Sequence, residues 1–443
     1  MKKYFLKVNS LALYALAYSA SAAVHKGIGF LLFMWLAHSL SVENYAKFGL
    51  LYALQAGVAG IAAAGIIEVV IGLLKSHESQ GLRAALFNSA NSVFIILVSG
   101  CLVIVAIASS VLVNIIDITY SVLVVVVFGG LLTAFFAMQS QLTRLEENHA
   151  TALALNFFPP IAGLTGGLVS LYIVPNVSSF FTGMSVGLII ALLIFGLARI
   201  GHYGFACSLK NTIPILVKIS PFILIAVLGW INGYGNTYLV QHHFTSVEVA
   251  RFVFAYTLSS IMQLVATSLN QVWSPRIFKI IHTVPIAEVE KKNKRFFKIQ
   301  GLILGLTGSL ILLLAPVLTQ IGSSGLAAYR DLTYELFFLF SAYALSIPWY
   351  HAQNYYFVFE KGKQLMYITI VSSLIGIGLW LIAMLMLGSI GIYIGFMLMM
   401  SIRMLAALFW ARREWPIRIV WEGPTIALVL MVSACVLTKI LVI

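Results

Sequence analysis

The sequence predicts an all-α polytopic membrane protein: twelve transmembrane helices in two repeated six-helix lobes, with a final apolar run that could add a thirteenth. Three observations carry this. The 443 residues are 61% apolar and only 9% charged, and the mean hydropathy of +1.00 lies far above that of soluble domains. Apolar runs of about 20 residues, the length that crosses a bilayer, recur from end to end. Basic residues gather on every second connection, the asymmetry that orients membrane proteins.

In order, the apolar runs fall at 11–38, 46–74, 86–113, 120–141, 149–173 and 177–197, then at 213–238, 250–272, 297–319, 331–356, 364–386 and 389–410, with a last at 424–442. The start imitates a signal peptide, with a basic beginning and Ala20-Ser21-Ala22 as a cleavage-like site. Apolar sequence nevertheless resumes after His25-Lys26 and continues to Ala37, longer than a signal core, which predicts an uncleaved first helix. One set of connections holds Lys2, Lys3, Lys7, Lys75, Arg83, Arg144, Arg199, Lys210 and Lys218. It continues with Arg276, Lys279, Lys291, Lys292, Lys294, Arg295, Lys298, Lys361, Lys363, Arg412, Arg413 and Arg418. The opposite connections hold only Lys47, Arg251 and Arg330. The basic set, and with it the N-terminus, is therefore expected in the cytosol.

The resulting organisation is an N-terminal lobe at 1–198, a cytosolic inter-lobe loop at 199–212, a C-terminal lobe at 213–411, and a cytosolic linker with the final run at 412–443. That run could span as a thirteenth helix or lie in the interface. The longest connection, 273–296, ends in basic residues within Lys291–Lys298, a topology determinant of a kind that also attracts anionic headgroups. The net charge of +13 sits on such loops, so nucleic acid is not the expected partner. External connections are too short for a catalytic domain. Cys101, Cys207 and Cys435 lie in or beside apolar runs without disulfide or metal spacing.

A repeat supports the two lobes. Ser41-Val42-Glu43, Lys47-Phe48, Tyr52 and Leu54 recur as Ser246-Val247-Glu248, Arg251-Phe252, Tyr256 and Leu258, with one residue deleted between the groups. Each copy opens the second helix of a lobe, and duplicated transporters bind substrate between their halves near the midplane.

Polar residues inside the spans mark candidate surfaces. Tyr14, Tyr18, Ser21 and His25 share a face of the first helix, bordered by Lys26; Tyr256, Ser260, Gln263, Thr267 and Asn270 form a stripe along the eighth. Asn232 and Asn236 lie among glycines in the seventh span, and Tyr343, Tyr350, His351 and Asn354 in the tenth. Lipid cannot satisfy such groups, so they face protein or water. Lys26, midway along its span, is the best candidate for an anion site; its bland reading is an ion pair with Glu68. Arg403 could anchor by snorkelling or serve the same anion. Glu68 is a candidate for a coupling proton, and His25 could titrate. Pro159-Pro160, Pro221, Pro316 and Pro348, with Gly183/Gly187, Gly301/Gly305 and Gly391/Gly395 at GxxxG spacing, predict kinked and closely packed helices.

No metalloprotease, phosphate-loop or paired-cysteine motif occurs, and no cofactor is expected. Transport, if that is the activity, must then draw on an ion gradient, the membrane potential or substrate consumption.

Three segments resemble a known family. Leu36-Ala37-His38-Ser39-Leu40-Ser41-Val42-Glu43-Asn44-Tyr45-Ala46-Lys47-Phe48-Gly49, Leu269-Asn270-Gln271-Val272-Trp273-Ser274-Pro275-Arg276 and Phe359-Glu360-Lys361-Gly362-Lys363 look like motifs of the Wzx-type polysaccharide (O-antigen) flippases. These belong to the multidrug/oligosaccharidyl-lipid/polysaccharide exporter superfamily. The third segment is followed by a two-helix unit with Gly388–Gly391 at its turn, and the resemblance runs through about Arg413. It departs in the seventh span, where many relatives carry an Asp-Arg pair and this chain reads Trp230-Ile231-Asn232-Gly233-Tyr234.

The resemblance implies a transporter rather than an enzyme, in the bacterial inner membrane, moving an undecaprenyl-pyrophosphate-linked oligosaccharide to the periplasmic leaflet for surface polysaccharides such as lipopolysaccharide. Lys26, assisted by His25 and Arg403, would meet the pyrophosphate. The Tyr256–Asn270 stripe, with Asn232 and Asn236, would meet the glycan. Membrane lipids and other polysaccharide-assembly proteins are the implied partners. The competing readings are an ion-coupled multidrug or small-solute antiporter of the same superfamily and a membrane-embedded polysaccharide polymerase.

Overall fold

The computed structural model describes residues 27–74, 80–146, 148–196, 209–321, 324–359, 361–415, 417 and 421–442. His25 and Lys26 lie outside the described residues. Every regular element among those described is helical. Among the described residues ten helices are long and apolar enough to cross a membrane, so this is an all-α, multi-pass membrane fold. The chain divides into two compact units. One contains the described residues to Leu32 together with Glu43–His242, the other Phe33–Val42 together with the described residues from His243 onward. The first helix, α1 (Gly27–Ser39), is shared between them.

The N-terminal unit holds α2 (Val42–Ala62), α3 (Ile66–Leu74), α4 (Gln80–Ile116), α5 (Tyr120–Leu145), α6 (His149–Ile173), α7 (Val177–Ala191), α8 (Leu209–Ile231) and α9 (Asn236–His243). The expected span at 46–74 is interrupted at 63–65. Gly65 there has φ +68°, and a methyl on it would collide with the Phe222 side chain on α8, so only glycine suits the break. The expected span at 213–238 is likewise interrupted between α8 and α9. Trp230 Nε1 donates to Ala53 O at 2.7 Å and Tyr238 Oη to Leu50 O at 2.7 Å, fastening both pieces to α2. On the other side of α2, Phe48 meets Phe180 edge-on at 5.4 Å between centroids. Buried amides join α4 and α5 through Gln139 Nε2 and Asn91 Oδ1 at 2.9 Å.

The C-terminal unit holds α10 (Ser246–Ile280), α11 (Ile286–Ile321), α12 (Thr333–Leu345), α13 (Ile347–Val358), α14 (Gly362–Leu387), α15 (Ser389–Glu414) and α16 (Glu422–Val442). The two copies of the Ser-Val-Glu motif open α2 and α10. Two further expectations are corrected. The connection at 273–296 is mostly helix, because α10 runs on to Ile280 and α11 already starts at Ile286. Apolar periodicity could not reveal this, since the extensions carry charge on their exposed faces. The tenth span is two helices, α12 and α13, which meet at Ser346 with Pro348 in the first turn of the second. Proline has no N–H to contribute there and suits a helix start. By contrast α6, α8 and α11 remain continuous helices through Pro159-Pro160, Pro221 and Pro316.

The expected small-residue contacts are present. A methyl at Gly183 or Gly187 on α7 would collide with the Gly166 or Ala162 carbonyl on α6. One at Gly391 on α15 would collide with the Ala383 carbonyl on α14. Close approach of this kind is how helices pack in lipid, where apolar burial alone gives no preference. It also decides how α16 lies. Gly301, Gly305 and Gly308 of α11 abut Gly423, Ala427 and Met431 of α16 in ascending order, and Thr438 Oγ1 donates to Leu312 O at 3.3 Å. The final run is therefore a helix laid parallel to α11, with Glu422 at its start paired to Lys294 and Lys298 at 2.7 and 3.1 Å.

Candidate functional site

The C-terminal unit encloses a polar cavity of about 230 Å³. The break at Ser346 turns α13 so that Ser346, Trp349, Tyr350 and Gln353, at i, i+3, i+4 and i+7, present one helical face to it. Gln263 of α10, Tyr343 of α12, and Met400 and Arg403 of α15 complete the lining. Ser346 Oγ donates to Tyr343 O at 2.7 Å, which holds the corner between α12 and α13.

Arg403 is the one charged residue among the described residues of this lining. It sits roughly 16 Å along the α15 axis from Glu414 at the helix end. Its guanidinium carbon lies 4.3 Å from the centre of the Trp349 ring, a cation–π contact. Nε is enclosed without a hydrogen-bond partner among the described residues. Of the two roles the sequence leaves open for Arg403, anchoring by snorkelling and contact with an anion, the structure shows only the setting: the side chain stacks on an aromatic ring beside a cavity. A charge inside a span is costly unless water, a partner or a ligand meets it, and the cavity has room for one.

Behind this face, α13 is fastened by two polar clusters. Asn354 Nδ2 donates to Asn270 Oδ1 at 3.0 Å, and Ser274 Oγ donates to Asn354 Oδ1. On the third side, Glu290 of α11 is 5% exposed, and its Oε1 accepts from Tyr355 Oη at 2.6 Å and Asn293 Nδ2 at 3.3 Å. His351 Nε2 stands 3.2 Å from the same oxygen; against a carboxylate acceptor this assigns the proton to Nε2. Trp273 Nε1 extends the chain to Asn293 Oδ1 at 2.9 Å.

The remaining sequence candidates are dispersed. Tyr256 is buried against Phe252 and Phe396. Ser260 and Thr267 donate to carbonyls of their own helix at 2.6 and 2.8 Å, so of the α10 stripe only Gln263 lines the cavity and Asn270 serves the α13 clamp. Asn232 and Asn236 belong to the N-terminal unit, where Asn236 Nδ2 donates to Asn232 O at 3.3 Å across the break between α8 and α9. Glu68 is on α3, with its side chain outside the described residues. Sequence reasoning passed over Trp349, Gln353 and Glu290. The first two carried a helical-face signal beside Tyr350, whereas nothing in the sequence separates Glu290 from the charged residues around it.

No family model and no curated protein matches the chain. Solved structures do. The lipid II flippase MurJ in an inward closed conformation superposes with a TM-score of 0.71 at 14% identity, covering 97% of this chain and 98% of that one. An inward-facing multidrug resistance transporter of the MATE family of the MOP superfamily gives 0.70 at 15%, covering 87% and 93%. A eukaryotic MATE transporter gives 0.58 at 11%, covering 96% and 97%. At such identities the likeness establishes a shared fold: the chain has the architecture of these solved transporter structures.

Proposed function

We propose that the protein is a flippase that carries an undecaprenyl-pyrophosphate-linked oligosaccharide across the bacterial inner membrane by alternating access. The observation that carries this reading is Arg403, a cation without a carboxylate partner among the described residues, opening onto an aromatic- and amide-lined cavity within a membrane span. Such a lining suits an anionic, hydroxyl-rich ligand. An organic cation would call for a carboxylate in the same place. The likeness to a lipid II flippase supports a lipid-linked glycan as the substrate class.

Within this proposal the lobes are 1–198 and 213–411, and the N-terminus is cytosolic. Lys26 and His25 meet the pyrophosphate, Glu68 takes the coupling ion, and the polyprenyl chain stays in lipid. Other polysaccharide-assembly proteins accept the product for O-antigen or a similar surface glycan. The likeness to a multidrug transporter favours a second reading, an ion-coupled antiporter. Deleting the gene in its host separates them. Loss of surface glycan with accumulation of intact lipid-linked repeat units supports the flippase. Unchanged glycan in a host with no second flippase, together with increased retention of a cationic dye, supports the antiporter.

A further inference from the structure

We infer that the cavity of the C-terminal unit is a subsite for one acidic sugar residue of the transported glycan, with Arg403 holding its carboxylate. This rests on the flippase reading and deepens it, since it names what the glycan must carry.

The size limits the occupant. A volume of about 230 Å³ has room for a single pyranose ring with its substituents. The chemistry of the lining limits it further. Tyr343, Tyr350, Gln263 and Gln353 offer hydroxyls and amides, groups that both donate and accept and so match a ring of sugar hydroxyls. Trp349 is committed on one face to Arg403 at 4.3 Å, which orients the planar guanidinium. A guanidinium fork pairs with a carboxylate through two parallel hydrogen bonds. A neutral sugar would leave the cation unpaired inside a span, which is unfavourable. A pyrophosphate carries more than one negative charge, and among the described residues the lining contains neither a lysine nor a second arginine to meet it. Among the described residues no carboxylate lines the cavity to repel an acidic ligand. The shared chemistry is an anion, and a sugar carboxylate is the source that a single fork in a ring-sized, amide-lined space fits.

The test uses the full-length protein in lipid nanodiscs. Binding of glucuronate, glucose and inorganic pyrophosphate is measured by ligand-observed NMR for the wild type, Arg403→Gln and Arg403→Lys. Each variant is first checked for a native elution profile and helical circular dichroism. The expected result is glucuronate binding at least tenfold tighter than glucose, lost in Arg403→Gln and partly kept in Arg403→Lys, which retains the charge without the fork. Pyrophosphate binding that needs Arg403, with no glucuronate binding, overturns the inference in favour of a headgroup site. Binding of neither anion overturns it outright. Flipping of lipid-linked oligosaccharides in proteoliposomes separates this failure from that of the parent reading. If neutral and acidic glycans flip equally well in wild type and Arg403→Gln, the flippase stands and the subsite falls. If no lipid-linked glycan flips, the flippase reading itself falls.

Discussion

Replacing Glu290 with alanine should destabilise the C-terminal unit far more than its place in a basic segment implies. The carboxylate is buried and its Oε1 stands within hydrogen-bond reach of Tyr355 Oη at 2.6 Å, His351 Nε2 at 3.2 Å and Asn293 Nδ2 at 3.3 Å. Alanine strands these donors away from water. A buried donor left unmatched costs about 1–3 kcal/mol, so even the low end of that range gives a loss of about 3 kcal/mol. Glu290→Gln keeps an acceptor oxygen and exchanges charge-assisted bonds for neutral ones about half as strong, so it should cost clearly less. Glu288, two residues earlier, is the control. It is exposed and pairs with Lys292 at 2.9 Å one turn along α11, a contact worth about 0.3–0.5 kcal/mol. Unfolding by denaturant in nanodiscs can be followed through tryptophan fluorescence. Trp273 is a local reporter, because it stacks on Phe296 at 4.4 Å and bonds Asn293, the neighbour of the lost carboxylate. If Glu290→Ala proves no more costly than Glu288→Ala, the buried cluster does not hold α13, and the reasoning is wrong.

Three further outcomes are expected. Any side chain at Gly301 collides with the Gly423 carbonyl, so Gly301→Leu should push α16 off α11 at a cost of about 1–3 kcal/mol. Cysteines at Leu312 and Thr438 should cross-link in the parent and fail to do so in this variant; retained cross-linking would contradict the parallel packing. Trp349→Leu removes the ring beneath Arg403, a support worth about 1–2 kcal/mol when desolvated. Initial flipping rates in proteoliposomes should fall about tenfold, with Trp349→Phe much closer to wild type. At the loop between α4 and α5, the Lys47 ammonium, 2.6 Å from Asp117 Oδ2, lowers the Asp117 carboxyl below its ordinary value. A lowered folded-state value makes the pair's contribution complete above the unfolded carboxyl's pKa and lost as pH falls through the folded one. The melting difference between wild type and Lys47→Ala should therefore be small at neutral pH, since Asp117 is exposed, and should vanish on acidification.

What could be read from the sequence was whatever lipid imposes on a chain segment by segment. The span from His149 to Ile173 appears with the same limits in both, because a continuous apolar stretch must close its own backbone hydrogen bonds in a bilayer. Small-residue spacing at Gly183/Gly187, Gly301/Gly305 and Gly391/Gly395 marked helix contacts for a similar local reason: only absent side chains let two backbones meet. Less visible were the interruptions. Hydropathy is blind to the backbone turn at Gly65 and to the corner at Ser346, because both breaks lie inside apolar sequence and their amides bond locally, Ala64 N to Ile61 O and Ser346 N to Ala342 O.

The sequence by itself determined a multi-pass helical membrane protein, the number and order of its apolar runs, and the asymmetry of its basic loops. Tertiary structure alone decided which polar residues gather. On α10, Gln263 reaches the cavity while Ser260 and Thr267 turn to their own helix. On α11, Glu288 faces outward and Glu290 is buried against Tyr355 and His351. Arg403 lies beside Trp349 because α13 bends away from α12 at Ser346. Spacing along one helix tells which residues share a face. Whether that face meets lipid, water or another helix depends on partners brought from distant parts of the chain.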